Sequence, residues 1–343
     1  MRVEMVGRFE VVPGELRWPW LSFADGGRLV ALPAGPRLVR VHRVEAAFPV
    51  VAEVALPPGA ALPTEPSGDV PAWQPGLHAA TVDAAGARVA LAWVEDGDGR
   101  VAVLNASGAI VASRSTRELL GPEYGPNTLR FSSDGAALWL SLDGPPGAAY
   151  DALVVLDAAS LEPLGVARED QFPPPSYHDL VPHPRDGSVL LAASSGPDGT
   201  WAHRALVDGG GARLTHSFAG DAAPFGVALA PDGRAALFVE QAALSLHAWP
   251  DLALRRRRAL PDGDVSHFSA ALVDRVALVP VTSEATDSDE ADLAVFDLDT
   301  LEPLGTLPFT DAMLAGACGG LVVAVRAHGG GAGRAGELWQ FTA

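Results

Sequence analysis

Apolar residues in this chain fall into compact runs of strand length: LVAL (29–32), RVALAW (88–93), ALWLSL (137–142), SVLLAA (188–193), AALFV (235–239), RVALVP (275–280) and LVVAV (321–325). None shows the three-and-four spacing of an amphipathic helix, and glycine, proline and acidic residues bound them, so they predict buried β-strands. Each follows a tight turn: Asp25-Gly26, Ala85-Gly86, Asp134-Gly135, Asp186-Gly187, Asp232-Gly233, and the weaker Val273-Asp274 and Gly319-Gly320. Asp-Gly supplies the positive φ that such a turn requires.

A second repetition is more literal. Residues 152–165 read ALVVLDAASLEPLG and residues 292–305 read DLAVFDLDTLEPLG. Both are an alternating strand, an acidic turn and a second strand, one hairpin written twice. Unit spacings of roughly 40 to 60 residues fit four-stranded propeller blades with loop insertions. The expected fold is all-β: one domain over residues 1–343, a seven-bladed β-propeller of four-stranded antiparallel blades. The last unit has strands near Met313–Cys318, Leu321–Val325 and Glu337–Phe341 and then ends, whereas Val3–Val12 is a spare strand ahead of the first turn. Pairing that strand into the last blade would close the ring and cover an open sheet edge.

The pattern resembles the WD-repeat and YVTN group of seven-bladed propellers. Pro224-Phe225-Gly226-Val227-Ala228-Leu229-Ala230-Pro231-Asp232-Gly233-Arg234 carries the resemblance best, although the Trp-Asp and Gly-His pairs of true WD repeats do not occur. The resemblance implies a fold that hosts binding platforms and enzymes alike, so function has to be argued from a site.

Composition narrows the choices. Hydrophobic residues make up 48% of the chain, and no segment approaches the ~18 continuous apolar residues of a membrane helix. The N-terminus alternates and lacks an apolar signal core, so the expected location is the cytoplasm. All 24 basic residues are arginine, which excludes lysine Schiff-base chemistry and a P-loop. A formal net charge of −18 argues against nucleic acid or an anionic membrane as partner. The lone Cys318 reads as a small strand filler. The basic run Arg255–Arg258 reads as a charged outer strand of the fifth blade, with an anion-binding patch as the alternative. Gly331-Ala332-Gly333-Arg334-Ala335-Gly336 fits a dinucleotide fingerprint in letters only, because a strand follows it and no helix. Asp287–Asp292 lacks the glycine and distal glutamate of an EF-hand loop, and Glu95–Gly99 is a turn.

The candidate site is the channel mouth, where each innermost strand begins. Counting back from the turns places Trp20 (or Trp18), His78, Asn127, His178, Phe225, His267 and Met313 there. Histidine falls in alternate units, and His78, His178 and His267 could converge as a transition-metal ligand set. The ordinary alternative is a wet rim of polar and aromatic residues bonded to nearby backbone. Second strands return to the same face with acidic ends at Glu95, Asp143, Glu240 and Glu284, and Glu123, Tyr124, Asp170, Tyr177 and Asp179 lie in or beside the entering loops. Glu240 with His178 is the candidate acid–base pair. The ending LFVEQ resembles the Asn-Glu strand end of YVTN-type lactonases, but Val239 replaces the asparagine and no arginine partner is evident. Two inserts, 57–77 and 168–177, should project over this face, carrying Trp73, Phe172 and Tyr177 as interface anchors.

The expectation is therefore a non-enzymatic platform that presents its mouth face and loop inserts to a protein partner, as one component of a larger bacterial system and without a cofactor. The runner-up is a channel-mouth hydrolase or lyase, with a small molecule or a single transition-metal ion bound there.

Overall fold

The computed structural model describes residues 1–10, 22–24, 28–61, 75–121, 124–143, 152–168, 177–194, 200–208, 211–220, 226–240, 243–260, 269–282, 290–310, 312–326 and 335–343. Their strands form seven four-stranded antiparallel sheets. Blade 1 is Ser22–Ala24, Leu29–Gly35, Leu38–Arg43 and Val50–Ala55; blade 2 is Gly76–Val82, Arg88–Glu95, Asp98–Asn105 and Ile110–Ser115. Blade 3 is Gly125–Phe131, Ala137–Asp143, Ala152–Asp157 and Pro163–Arg168; blade 4 is Tyr177–Pro182, Val189–Ser194, Thr200–Asp208 and Gly211–Gly220. Blade 5 is Gly226–Leu229, Ala235–Glu240, Ala243–Ala248 and Leu254–Ala259; blade 6 is Ala271–Val273, Val276–Thr282, Glu290–Asp297 and Pro303–Thr310. Blade 7 takes Ala312–Cys318, Leu321–Arg326 and Ala335–Thr342, and its outer strand is the N-terminal Arg2–Glu10, paired from Arg2 with Thr342 to Glu10 with Ala335. The strand predicted to close the ring does so, and it covers the edge of Ala335–Thr342.

Seven apolar clusters among the described residues each lie between two neighbouring blades. The one joining blades 1 and 2 packs Val41 and Val54 against Leu91 and Trp93. The one that completes the circle packs Leu321, Val323 and Leu338 of blade 7 against Val30, Leu32 and Val44 of blade 1. Strand sides facing both neighbours are apolar, so the runs in the sequence do not alternate, and the strands at 152–157 and 292–297, expected to alternate, are instead buried on both sides. First strands of successive blades meet one another and make the inner ring, while fourth strands such as Leu254–Ala259 are exposed along nearly their whole length.

The predicted turns are visible in the backbone. Gly86, Gly135, Gly187 and Gly233 have φ of 70, 69, 70 and 70°, and Asp274 takes the same left-handed position at 51°. Asp96 and Gly97, at 52 and 75°, close the second hairpin of blade 2 as the Asp-Gly pair predicts.

The literal repeat has a physical meaning at each letter. Asp157 Oδ1 accepts the N–H groups of Ala159 and Ser160 and the Ser160 hydroxyl; Asp297 Oδ1 does the same with Asp299 and Thr300. Donation from Ser160 and Thr300 holds both carboxyls below the usual aspartate value. Leu161 and Leu301 then adopt φ of 58 and 54° with their side chains buried, so tertiary burial overrides the usual preference for glycine there. Glu162 accepts Arg114 of blade 2 at 2.5 Å, and Glu302 accepts Arg258 of blade 5 at 2.7 Å. Gly165 lies where a Cβ would strike the Ala212 backbone of blade 4, and Gly305 faces Met1 of blade 7. The LEPLG sentence thus records contact with the preceding blade through its glutamate and with the following blade through its glycine.

Candidate functional site: the channel mouth

The mouth face is where first strands begin and second strands end. In blade 2 the first strand slips register against the second between Leu77 and Ala79, which leaves His78 at the bulge, half-buried. Blade 3 slips at the equivalent place, between Pro126 and Thr128, and the bulge residue is Asn127. Two of the positions counted from the turns therefore share one backbone feature, a bulge that re-aims a side chain at a sheet end. Asn127 donates from Nδ2 to Asp143 Oδ1 at 2.6 Å, which ties the start of the first strand to the end of the second. Met313 is half-buried near the start of the corresponding strand of blade 7.

Glu240 ends the second strand of blade 5 and is buried at 7% exposure. Its Oε1 accepts the Ser245 hydroxyl at 3.0 Å, and its Oε2 accepts Arg257 at 2.5 Å. The arginine partner that the local sequence lacked comes from the outer strand, 17 positions later. The basic run Arg255–Arg258 is an exposed outer strand, as predicted, and three of its four guanidinium groups are engaged. Arg257 pairs with Glu240, Arg258 with Glu302, and Arg256 donates to the Asp299 carbonyl at 3.0 Å. Glu95, half-buried, stands over Gly59 of the short 3-10 turn Pro58–Ala60, where any Cβ would meet its carboxylate.

Tyr177 and His178 open the first strand of blade 4, opposite Ser194 and Ala193, but their side chains lie outside the described residues. Trp18, Trp20, Trp73, Glu123, Asp170, Phe172, Phe225, His267 and Glu284 also lie outside them, as do the central parts of both inserts, 62–74 and 169–176. Among the described residues no group of three or more His, Cys, Asp or Glu is placed to hold a metal ion. The proposed three-histidine set needs two residues outside that description. Cys318 is half-buried at the end of its strand and packs on the apolar seam between blades 7 and 1.

Sequence reasoning missed a different class of polar residue, one that joins blades on the opposite face. Asp83 follows the first strand of blade 2 and accepts Arg88 Nε at 2.8 Å, and Arg88 reaches into blade 3 to donate to the Gly135 carbonyl at 2.7 Å. His183 occupies the register of Asp83 in blade 4 and meets Gly233 of blade 5. The available signal was a polar residue two or three places before the first residue of the turn, Asp83 before Ala85 and His183 before Asp186.

No family model matches the sequence, and no curated protein matches it. Among solved structures, the β-propeller domain of Cps50 (Swd1) from Myceliophteria thermophila superposes with a TM-score of 0.61 at 12% identity, covering 99% of this chain and 100% of that one. The chain has the fold of that propeller. At this identity the likeness concerns fold, and it agrees with the resemblance read from the Asp-Gly turns. Among the described residues no helix is long and apolar enough to cross a membrane.

Proposed function

We propose that this propeller is a non-enzymatic binding platform whose mouth face and loop inserts engage a protein partner. The observation that supports this reading most is how the described mouth groups are used. Asn127 is bonded to Asp143, and Glu240 is bonded to Ser245 and Arg257. A general acid or base needs a carboxyl or imidazole within reach of substrate, whereas these groups fix strand ends to one another and stiffen the rim. Seven apolar seams and an N-terminal closing strand give a rigid ring, and connecting loops on a rigid scaffold are suited to recognition. The fold likeness to the Swd1 propeller fits a protein-binding role.

The second reading, a channel-mouth hydrolase or lyase with or without a metal ion, rests on some of His78, His178, His267 and Glu240. Elemental analysis of untagged protein, beside a folded His78→Ala/His178→Ala/His267→Ala variant, separates the two. The platform reading predicts metal far below one equivalent per chain in both proteins. Near-stoichiometric zinc, iron or copper that disappears in the variant would favour the enzyme reading and place its centre at these histidines.

A further inference from the structure

On the face opposite the mouth, the seam between blades 4 and 5 is joined by one polar network. Its hub is the Asp186 carboxylate. Oδ1 accepts the Ser188 N–H at 3.0 Å and the Ser188 hydroxyl, and Oδ2 accepts Arg204 at 3.2 Å and the Trp249 indole N–H of blade 5 at 3.0 Å. Trp249 stacks on the His183 ring, centroids 4.7 Å apart and planes 6° apart, with the Arg204 guanidinium 5.5 Å from the indole centroid. His183 is buried, and its Nε2 is 2.9 Å from the Gly233 carbonyl oxygen of blade 5, so Nε2 carries a proton. A Cβ at Gly233 would fall 2.6 Å from that nitrogen, which restricts this turn to glycine.

The other ring nitrogen has two competing neighbours. Nδ1 can accept the N–H groups of Asp186 and Arg185 at 3.1 and 3.3 Å, yet Asp186 Oδ1 lies only 2.8 Å away. In a neutral ring this contact sets a lone pair against a carboxylate oxygen. A proton on Nδ1 converts it into a charge-assisted hydrogen bond to Asp186 and releases the two backbone N–H groups that the neutral nitrogen accepts. We propose that the blade 4–blade 5 seam is a proton-responsive clasp, in which protonated His183 bridges Asp186 of its own turn to Gly233 of the next blade and tightens the seam.

Burial pushes the Asp186 carboxyl up, but donation from Ser188 and Trp249 and the neighbouring imidazole outweigh it and bring it down to about 2, so the acceptor stays ionised. Other charged groups lie around this turn. They are Arg204 on the third strand of blade 4, Arg185 in the turn, the Asp134 carboxylate of blade 3 opposite Gly187, and Arg234 of blade 5 with its partner Asp232. By contrast, the seam between blades 2 and 3 is joined by the guanidinium of Arg88 and has no imidazole at this position.

The test is amide hydrogen exchange on the whole protein at about pH 5.5 and about pH 8, corrected for intrinsic rates, comparing wild type with Asp186→Asn and, separately, His183→Gln. In Val189–Ser194 and Ala235–Glu240, the ratio of wild-type to variant protection should be about fivefold larger at the lower pH. The same ratio in Arg88–Glu95 should not change. Using a ratio cancels the effect of other histidines, and either variant alone suffices if the second does not fold. Equal ratios at both pH values, or a change spread evenly over all blades, would overturn the clasp.

Discussion

Leucine in a left-handed turn makes the repeat quantitatively testable. At Leu301 two terms oppose each other when the side chain is removed. Leu301→Ala deletes a buried isopropyl group, a loss of about 2–5 kcal/mol, and keeps a Cβ in a backbone region that costs about 1–2 kcal/mol. Leu301→Gly also loses the Cβ methyl but relieves that backbone cost, glycine otherwise being about 0.5–1 kcal/mol worse than alanine through chain entropy and the missing methyl. Glycine should therefore be the better replacement by about 0.5–1 kcal/mol, reversing the ordinary order. Leu293, equally buried but in the regular strand Glu290–Asp297, provides the control: there alanine should exceed glycine by about 0.5–1 kcal/mol. Leu161, the second copy, should repeat the inverted order of Leu301. Urea denaturation midpoints of the six variants measure all three differences. With an unfolding entropy of roughly 2 cal/mol/K per residue, the Leu301→Ala loss also corresponds to a Tm drop of about 3–7 °C. Alanine matching or exceeding glycine at both turns would refute the claim that burial holds these leucines against backbone preference.

Three further outcomes follow. Burial lowers the imidazole pKa of His42 and His247, each with Nδ1 bonded to a turn carbonyl (Phe48 at 3.0 Å, Leu252 at 2.8 Å), so the unfolded chain takes up the proton first. Their contribution is complete above the unfolded value near 6.5 and is lost as pH falls below it; His247→Leu, which copies Leu104 and Leu156 at the corresponding bulges, should flatten that part of the stability–pH curve read by urea denaturation. Double-mutant cycles on Arg114–Glu162 and Arg258–Glu302 should each give about 0.2–1 kcal/mol of coupling, shrinking with added salt, because one partner of each pair is well exposed. Deleting residues 1–10 should leave the edge of Ala335–Thr342 open and drive association on size-exclusion chromatography, and a synthetic peptide of those residues should restore a monomer-sized peak.

The fold was legible because its determinants are local. An Asp-Gly turn announces itself in two letters, and Gly86, Gly135, Gly187 and Gly233 share one backbone angle. The closing strand was legible too, since a unit short of a strand at one end matched a spare strand at the other. The site was less legible because its contacts are set by distance across the sheet. Arg257 reaches Glu240 over the intervening third strand of blade 5, a short step in space but 17 positions in sequence. Arg88 and His183 act on the following blade, 47 and 50 residues away, and no spacing rule within one unit reveals that. The repeated glycine of LEPLG looked like part of a hairpin, whereas Gly165 is demanded by the neighbouring blade's Ala212.

Mapping partner contacts by face tests the central claim most directly. Because the chain has no lysine, amine-directed reagents are unsuitable, and single photo-reactive residues should replace Met313 and Tyr177 on the mouth face and Ser107 and Asp251 on the opposite face. The account predicts that a protein partner, identified by mass spectrometry of the cross-linked species, is trapped from the mouth-face positions and not from the other two. Trapping the same partner mainly through Ser107 or Asp251, or trapping none from either face in cells that produce the protein, would contradict it.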